Sequence, residues 1–105
     1  MTRRLYHIHR EDGVTIRIGI MGDFNPETPA HTMIDPRLQY AARALGVEVE
    51  LRWLPTPSLV GAEGERLTAG YDGLWAAPAS PYQSMEGMLD GIEFARRRDW
   101  PFVGT

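Results

Sequence analysis

The sequence predicts an α/β domain built on an open, mostly parallel sheet with flanking helices. Three observations carry that prediction. Residues 14–21 (VTIRIGIM) form a β-branched run with one charge, as in a strand covered on both faces. Two later stretches repeat apolar residues at helical spacing. Short loops dense in Gly, Pro, Asn and Asp separate the strand patterns from the helical ones. A length of 105 residues allows one small domain with a modest core and excludes a two-domain enzyme within this polypeptide.

Residues 1–13 (MTRRLYHIHREDG) are charged and aperiodic and read as an appended arm, with the domain occupying residues 14–105. The first strand, residues 14–21, reads as a parallel central strand with Arg17 reaching out near its start. Residues 22–29 (GDFNPETP) form a turn that closes on Thr28 as an N-cap and Pro29 as the first helical residue. Ile34, Leu38, Ala41 or Ala42, and Leu45 then share one helical face, and Gly46 stands where a helix ends in the left-handed region. Pro36 interrupts this run, which implies either a kink or a fresh helix start capped by Asp35.

Residues 47–54 (VEVELRWL) alternate strictly, with Val47, Val49, Leu51 and Trp53 opposite Glu48, Glu50 and Arg52, the pattern of a strand near a sheet edge. Residues 55–70 read as loop with one helical turn around residues 62–67. Residues 71–78 (YDGLWAAP) give a short buried strand, and residues 79–83 a turn. From Ser84 an apolar face of Met85, Met88 or Leu89, Ile92, and Ala95 or Arg96 makes a helix that ends in Arg96, Arg97 and Arg98, which suits the negative end of the helix dipole. Residues 100–105 (WPFVGT) supply the last strand. The resulting order is strand, helix, strand, strand, helix, strand, with right-handed crossovers.

Composition narrows the functional classes. Eleven Lys and Arg against 14 Asp and Glu give a net charge of −3, which argues against a nucleic-acid surface or a polybasic membrane contact. Zero cysteines removes disulfides, thiolate zinc sites and cysteine nucleophiles from these residues and fits a cytoplasmic location. The sequence holds no run of about 18 apolar residues, and the start is too weakly apolar for a signal peptide. No cofactor and no metal are expected. His7 and His9 would share one side of a strand, but with no third ligand nearby they read as part of a solvated arm. His31 reads as a helix-face residue beside the first loop, rather than an acid or base. Asp23 follows a strand end and reads as turn-stabilising, with substrate binding as the alternative. Gly19 and Gly22 make neither a dinucleotide fingerprint nor a P-loop. Trp53, Trp75, Trp100, Met85 and Met88 read as packing residues, and residues 96–98 as a helix cap in solvent.

Four stretches, IRIGIMGDF (16–24), ALGVEVELRWL (44–54), YDGLWAAP (71–78) and SMEGMLDGIEFARRRDWPFVGT (84–105), resemble in order and spacing the glutamine amidotransferase domain of CTP synthase, a class I, triad-type amidotransferase with a flavodoxin-like fold. The resemblance implies glutamine as substrate and ammonia release for the amination of UTP. In the family an ATP-dependent synthetase domain precedes this domain, whereas here only residues 1–13 precede the first strand, a departure under which a separate synthetase partner is one expectation. It implies that Pro78, Ala79 and Ser80 correspond to the family's Pro-Gly-Gly, with backbone N–H groups facing the glutamine amide. Alanine and serine depart from that pattern, at a cost of about 1 kcal/mol or more if the glycines need positive φ. Gly104 and Thr105 would open the nucleophile elbow G-x-C-x-G, so the chain is expected to be the amino-terminal half of the domain, truncated before the nucleophile, histidine and glutamate of the triad. UGA, a stop codon, also encodes selenocysteine, whose selenol ionises more readily than a thiol. The expected reading is a selenoprotein whose frame continues through UGA after the Thr105 codon; UAA or UAG there would leave a remnant. A non-catalytic binding module and a degraded gene are the competing readings.

Overall fold

The computed structural model describes residues 15–78 and 81–104; the expectations placed on residues 1–14, Ala79, Ser80 and Thr105, including the arm, His7 and His9, lie outside them. The elements are β1 (Thr15–Met21), α1 (Pro29–Thr32), α2 (Ile34–Leu45), β2 (Glu48–Leu54), a 3-10 turn (Thr56–Leu59), α3 (Gly61–Thr68), β3 (Gly73–Ala76), α4 (Met85–Arg97) and β4 (Phe102–Gly104). The strands form one four-stranded parallel sheet in the order β2-β1-β3-β4. This is the open α/β class that the sequence predicts. β1 is central, as its apolar run requires, and β2, with Glu48, Glu50 and Arg52 on its wetter side, lies at an edge.

The helix boundaries follow local chemistry. Thr28 caps α1 with Pro29 in its first position. Of the two readings of Pro36, the fresh start is the one found: α2 begins at Ile34. Its cap is Met33, and not Asp35, which sits in the first turn. Pro36 is tolerated because the third N–H of a helix has no intrahelical acceptor in any case. α2 ends at Gly46, whose φ is 75°.

Two expectations are corrected. The stretch between β2 and β3 is not loop with a single turn; it holds the 3-10 turn and the eight-residue α3. Two parallel strands flanking β1 need a crossover between them, so β2 cannot lead directly into β3. Gly61 and Gly64 lower the helical propensity that the sequence displays. Gly64 is nevertheless required, because a Cβ there would overlap the Leu59 carbonyl. The second correction is the buried face of α4. Met85 and Leu89 are exposed, and the covered residues are Gly87, Met88, Gly91, Phe94 and Ala95. Glycines, which carry no apolar signal, mark the closest approach: a Cβ on Gly91 would lie 2.5 Å from Met21 Sδ.

Each face of the sheet has its own core. Met21, Leu54, Leu59, Leu74, Met88 and Phe94 pack beneath the 3-10 turn and α4. Ile20, Ile34 and Ala77 pack on the α2 face with Ile18, Trp53 and Trp75 against them. Trp100 closes the first core and donates its Nε1–H to the Tyr71 carbonyl at 2.7 Å, so the three tryptophans do pack the interior. Residues 96–98 are more than a solvated cap: Arg97 and Arg98 reach Glu65 of α3 at 2.7 and 3.7 Å. On its other face α2 leaves the outer strands open. An apolar trough of about 470 Å³ remains there, lined among others by Leu38, Val49, Trp75, Pro101 and Val103.

Candidate functional site

In an open parallel sheet the site forms at the carboxyl ends of the strands, where the strand order reverses. Here the reversal lies at β1, with β2 on one side and β3 on the other. The loop after β1 (residues 22–28) and the described residues after β3 (77–78 and 81–84) therefore face each other across the sheet edge. Gly22 lets them meet: a Cβ on it would stand 2.8 Å from the Ala77 Cβ. The backbones join through Ala77 N–H donating to the Met21 carbonyl at 2.9 Å, and Gly22 N–H donating to the Leu54 carbonyl at 3.0 Å.

His31 is buried, at 4% exposure, which an isolated histidine on a four-residue helix did not announce. Asn25 N–H donates to its Nδ1 at 3.0 Å, and its Nε2–H donates to the Pro78 carbonyl at 2.8 Å. The two bonds fix the Nε2–H tautomer and occupy both ring nitrogens. The ring also packs 4.9 Å from Trp53, between centroids. His31 is thus a strut between two loops and no mere helix-face residue.

Asp23 carries the larger surprise. A local turn role falls to Asn25, whose Oδ1 accepts from Glu27 N–H at 2.9 Å. Asp23 instead reaches across the chain. Its Oδ1 accepts Thr56 N–H, and its Oδ2 accepts both the Thr56 hydroxyl and Gln83 N–H, each at 2.8 Å. Thr56 is fully buried, and its Oγ1 also accepts Ser84 N–H at 2.8 Å. The loops after β1, β2 and β3 are thereby tied at one carboxylate. Sequence offered no signal for it beyond the residue type, because the partners stand 33 and 60 residues away.

Burial pushes the Asp23 carboxyl up, but the N–H groups of Gln83 and Thr56 and the Thr56 hydroxyl together outweigh it and hold the group below the ordinary carboxylate range. A carboxyl depressed in the folded state stabilises the fold above its unfolded value of about 3.9 and loses that contribution as pH falls through the folded value. Acid unfolding followed by circular dichroism is expected to show this pH dependence in the wild type. It should be reduced in Asp23→Asn, and an unchanged acid limb in the variant would refute the assignment.

The implied oxyanion residues divide. Pro78 stands at the carboxyl end of β3, but proline has no N–H, so the expectation of a donor at that position is corrected; its carbonyl is taken by His31. Any N–H donors of the triplet belong to Ala79 and Ser80, outside the described residues. Gly104 closes β4 in register with Ala76, which brings the start of the expected elbow beside the segment after β3. Tyr82 adds a further tie, its hydroxyl donating to the Ala77 carbonyl at 2.7 Å. Among the described residues no group of three or more His, Asp or Glu is placed to hold a metal, and no helix is long and apolar enough to cross a membrane.

No family model matches the chain. Curated proteins do. The chain is 29% identical over 92 residues to the CTP synthase of Microcystis aeruginosa, covering 88% of this chain and 17% of that protein. It is 26% identical over 104 residues to the CTP synthase of Acidobacterium capsulatum, covering 99% of this chain and 18% of that protein. The fold matches the glutaminase domain of the Trypanosoma brucei CTPS, solved with bound acivicin, with a TM-score of 0.72 at 17% identity, over 85% of this chain and 35% of that one. The chain thus spans under a fifth of the length of those curated relatives. The resemblance to the glutamine amidotransferase domain of CTP synthase holds in sequence over most of the chain and in fold.

Proposed function

We propose that this chain supplies the β1–β3 half of a glutamine site of the CTP synthase type, and that a complete site of this kind releases ammonia for a synthetase partner that aminates UTP to CTP. One observation carries the reading. β4 runs in register with β3, Ala76 beside Gly104, so a nucleophile borne on a turn after β4 would stand beside the carboxyl end of β3. Acyl transfer from an amide needs that juxtaposition, with a nucleophile on a strand-to-helix turn and N–H groups placed where the oxyanion develops. From the opposite side, His31 holds the Pro78 carbonyl and Asp23 holds the Gln83 N–H.

The 105 residues include no cysteine, and among the described residues the one histidine has both ring nitrogens engaged. We infer from this that these residues bind glutamine without hydrolysing it. Incubated with saturating L-glutamine, the purified chain is expected to release no ammonia above a boiled control, while L-glutamine, and not L-asparagine, shifts the amide resonances of Gly22 and Gly104. Glutamine-saturable ammonia release would refute the first half of this reading, and unshifted resonances the second.

A further inference from the structure

We propose that Asp23 is the positioning residue of this carboxyl-edge site: its carboxylate fixes Gln83 and the entry to α4 against the loop after β1 and so sets glutamine affinity without touching the ligand. The inference rests on the glutamine reading above and adds to it the group that holds the site in shape.

The geometry supports a brace and opposes a chemical role. An ionised carboxylate offers about four acceptor positions, and three of those on Asp23 are filled by donors of the chain itself. The three donors come from two places: Thr56 at the start of the 3-10 turn, with its N–H and its hydroxyl, and Gln83 just ahead of α4. The neighbouring Ser84 N–H is held by the same Thr56 hydroxyl, so the entry to α4 is fastened at two successive amides. At the other end of the segment, Pro78 is fastened by His31. Both fasteners belong to residues 23–31, so the region after β1 serves as a template for the region after β3.

Aspartate is the residue type this demands. Asparagine has one acceptor oxygen, and its amide would point N–H groups at the N–H of Gln83 or the hydroxyl of Thr56. Glutamate is one methylene longer and would press the loops apart. Among the described residues His31 on α1 is the titratable side chain near Asp23, able to lower its pKa only when the ring is protonated, and the groups packed on the carboxylate, Thr56 and Gln83, are uncharged.

The test uses the isotopically labelled 105-residue chain with L-glutamine as the probe. In the wild type the amide resonances of Thr56 and Gln83 are expected to move together, with one midpoint, as the solution is acidified, and glutamine affinity is expected to fall over the same interval. Asp23→Asn should abolish the shared titration, speed hydrogen exchange at Gln83 by about tenfold or more, and weaken glutamine binding by about tenfold. The amides of Ile20 and Phe94 report in the same spectra whether the core is intact. Asp23→Glu keeps the charge and should still lose affinity, whereas Glu93→Gln, on the exposed side of α4, should change neither readout. Wild-type affinity and an unchanged pH profile in Asp23→Asn would overturn the proposal. Should that variant fail to fold, the wild-type titration decides alone: Thr56 and Gln83 amides that do not move together overturn the brace. Amides that titrate together in a chain that binds no glutamine overturn the glutamine reading, and with it the claim on affinity, while the brace itself stands.

Discussion

Gly87→Ala is expected to lower stability by about 3 kcal/mol or more, a large share of the roughly 5–15 kcal/mol that holds a small domain folded. Helix propensity alone predicts the opposite sign, since alanine in a helix interior is favoured over glycine by about 1 kcal/mol. Contact geometry decides between them. A Cβ at Gly87 would overlap the Thr56 carbonyl oxygen, a backbone atom of a residue with no exposed surface. Neither side has room to withdraw. Gly87 N–H is the donor to the Ser84 cap at 3.0 Å, and Thr56 is fastened to Asp23 and Ser84. Leu89→Ala, on the exposed side of the same helix, serves as the comparison and should shift the urea midpoint little. A Gly87→Ala chain that unfolds at or above the wild-type midpoint would show that α4 can lift from the 3-10 turn without penalty.

The second large effect concerns the same junction from the polar side. Thr56→Val keeps the shape of the side chain and deletes one hydroxyl. That hydroxyl donates to Asp23 and accepts from Ser84 N–H, each at 2.8 Å. The Asp23 carboxylate keeps Gln83 but loses one of its three donors, and Ser84 N–H loses its acceptor, both in a partly buried place, so a loss of about 1–3 kcal/mol is expected. Thr56→Ser retains the hydroxyl and removes only a methyl, for about 1 kcal/mol. Equal destabilisation by the two variants in urea would mean that methyl packing, and not the hydrogen-bond relay, holds the junction.

The fold was legible where burial leaves a periodic apolar signal. β1, β2 and α2 were placed within a residue or two, because a central strand, an edge strand and an amphipathic helix differ in period and in the position of charge. α3 was nearly lost because Gly61 and Gly64 dilute the pattern, although close packing on Leu59 is what demands a glycine at 64. The face of α4 was misjudged for the same reason. A glycine that permits contact looks, in sequence, like a gap in the apolar stripe. The site was legible in location and hardly at all in wiring. The turns at residues 22–29 and 79–83 are legible in the sequence, and both follow the carboxyl ends of strands, where sites of open parallel sheets form. Asp23 to Gln83 and His31 to Pro78 are long-range bonds between polar residues, and no local period encodes them.

The trough beside α2 bears on how the chain responds to temperature. Leu45 is 73% exposed and Val103 53% exposed among the described residues, so part of the apolar surface that unfolding would normally uncover is already wet in the folded state. Newly wetted apolar area is the main source of the heat-capacity increment of unfolding. A smaller increment flattens the stability curve, so warming and cooling erode the folded state less steeply on either side of its optimum. The same open surface that subtracts from the height of that curve thus broadens it.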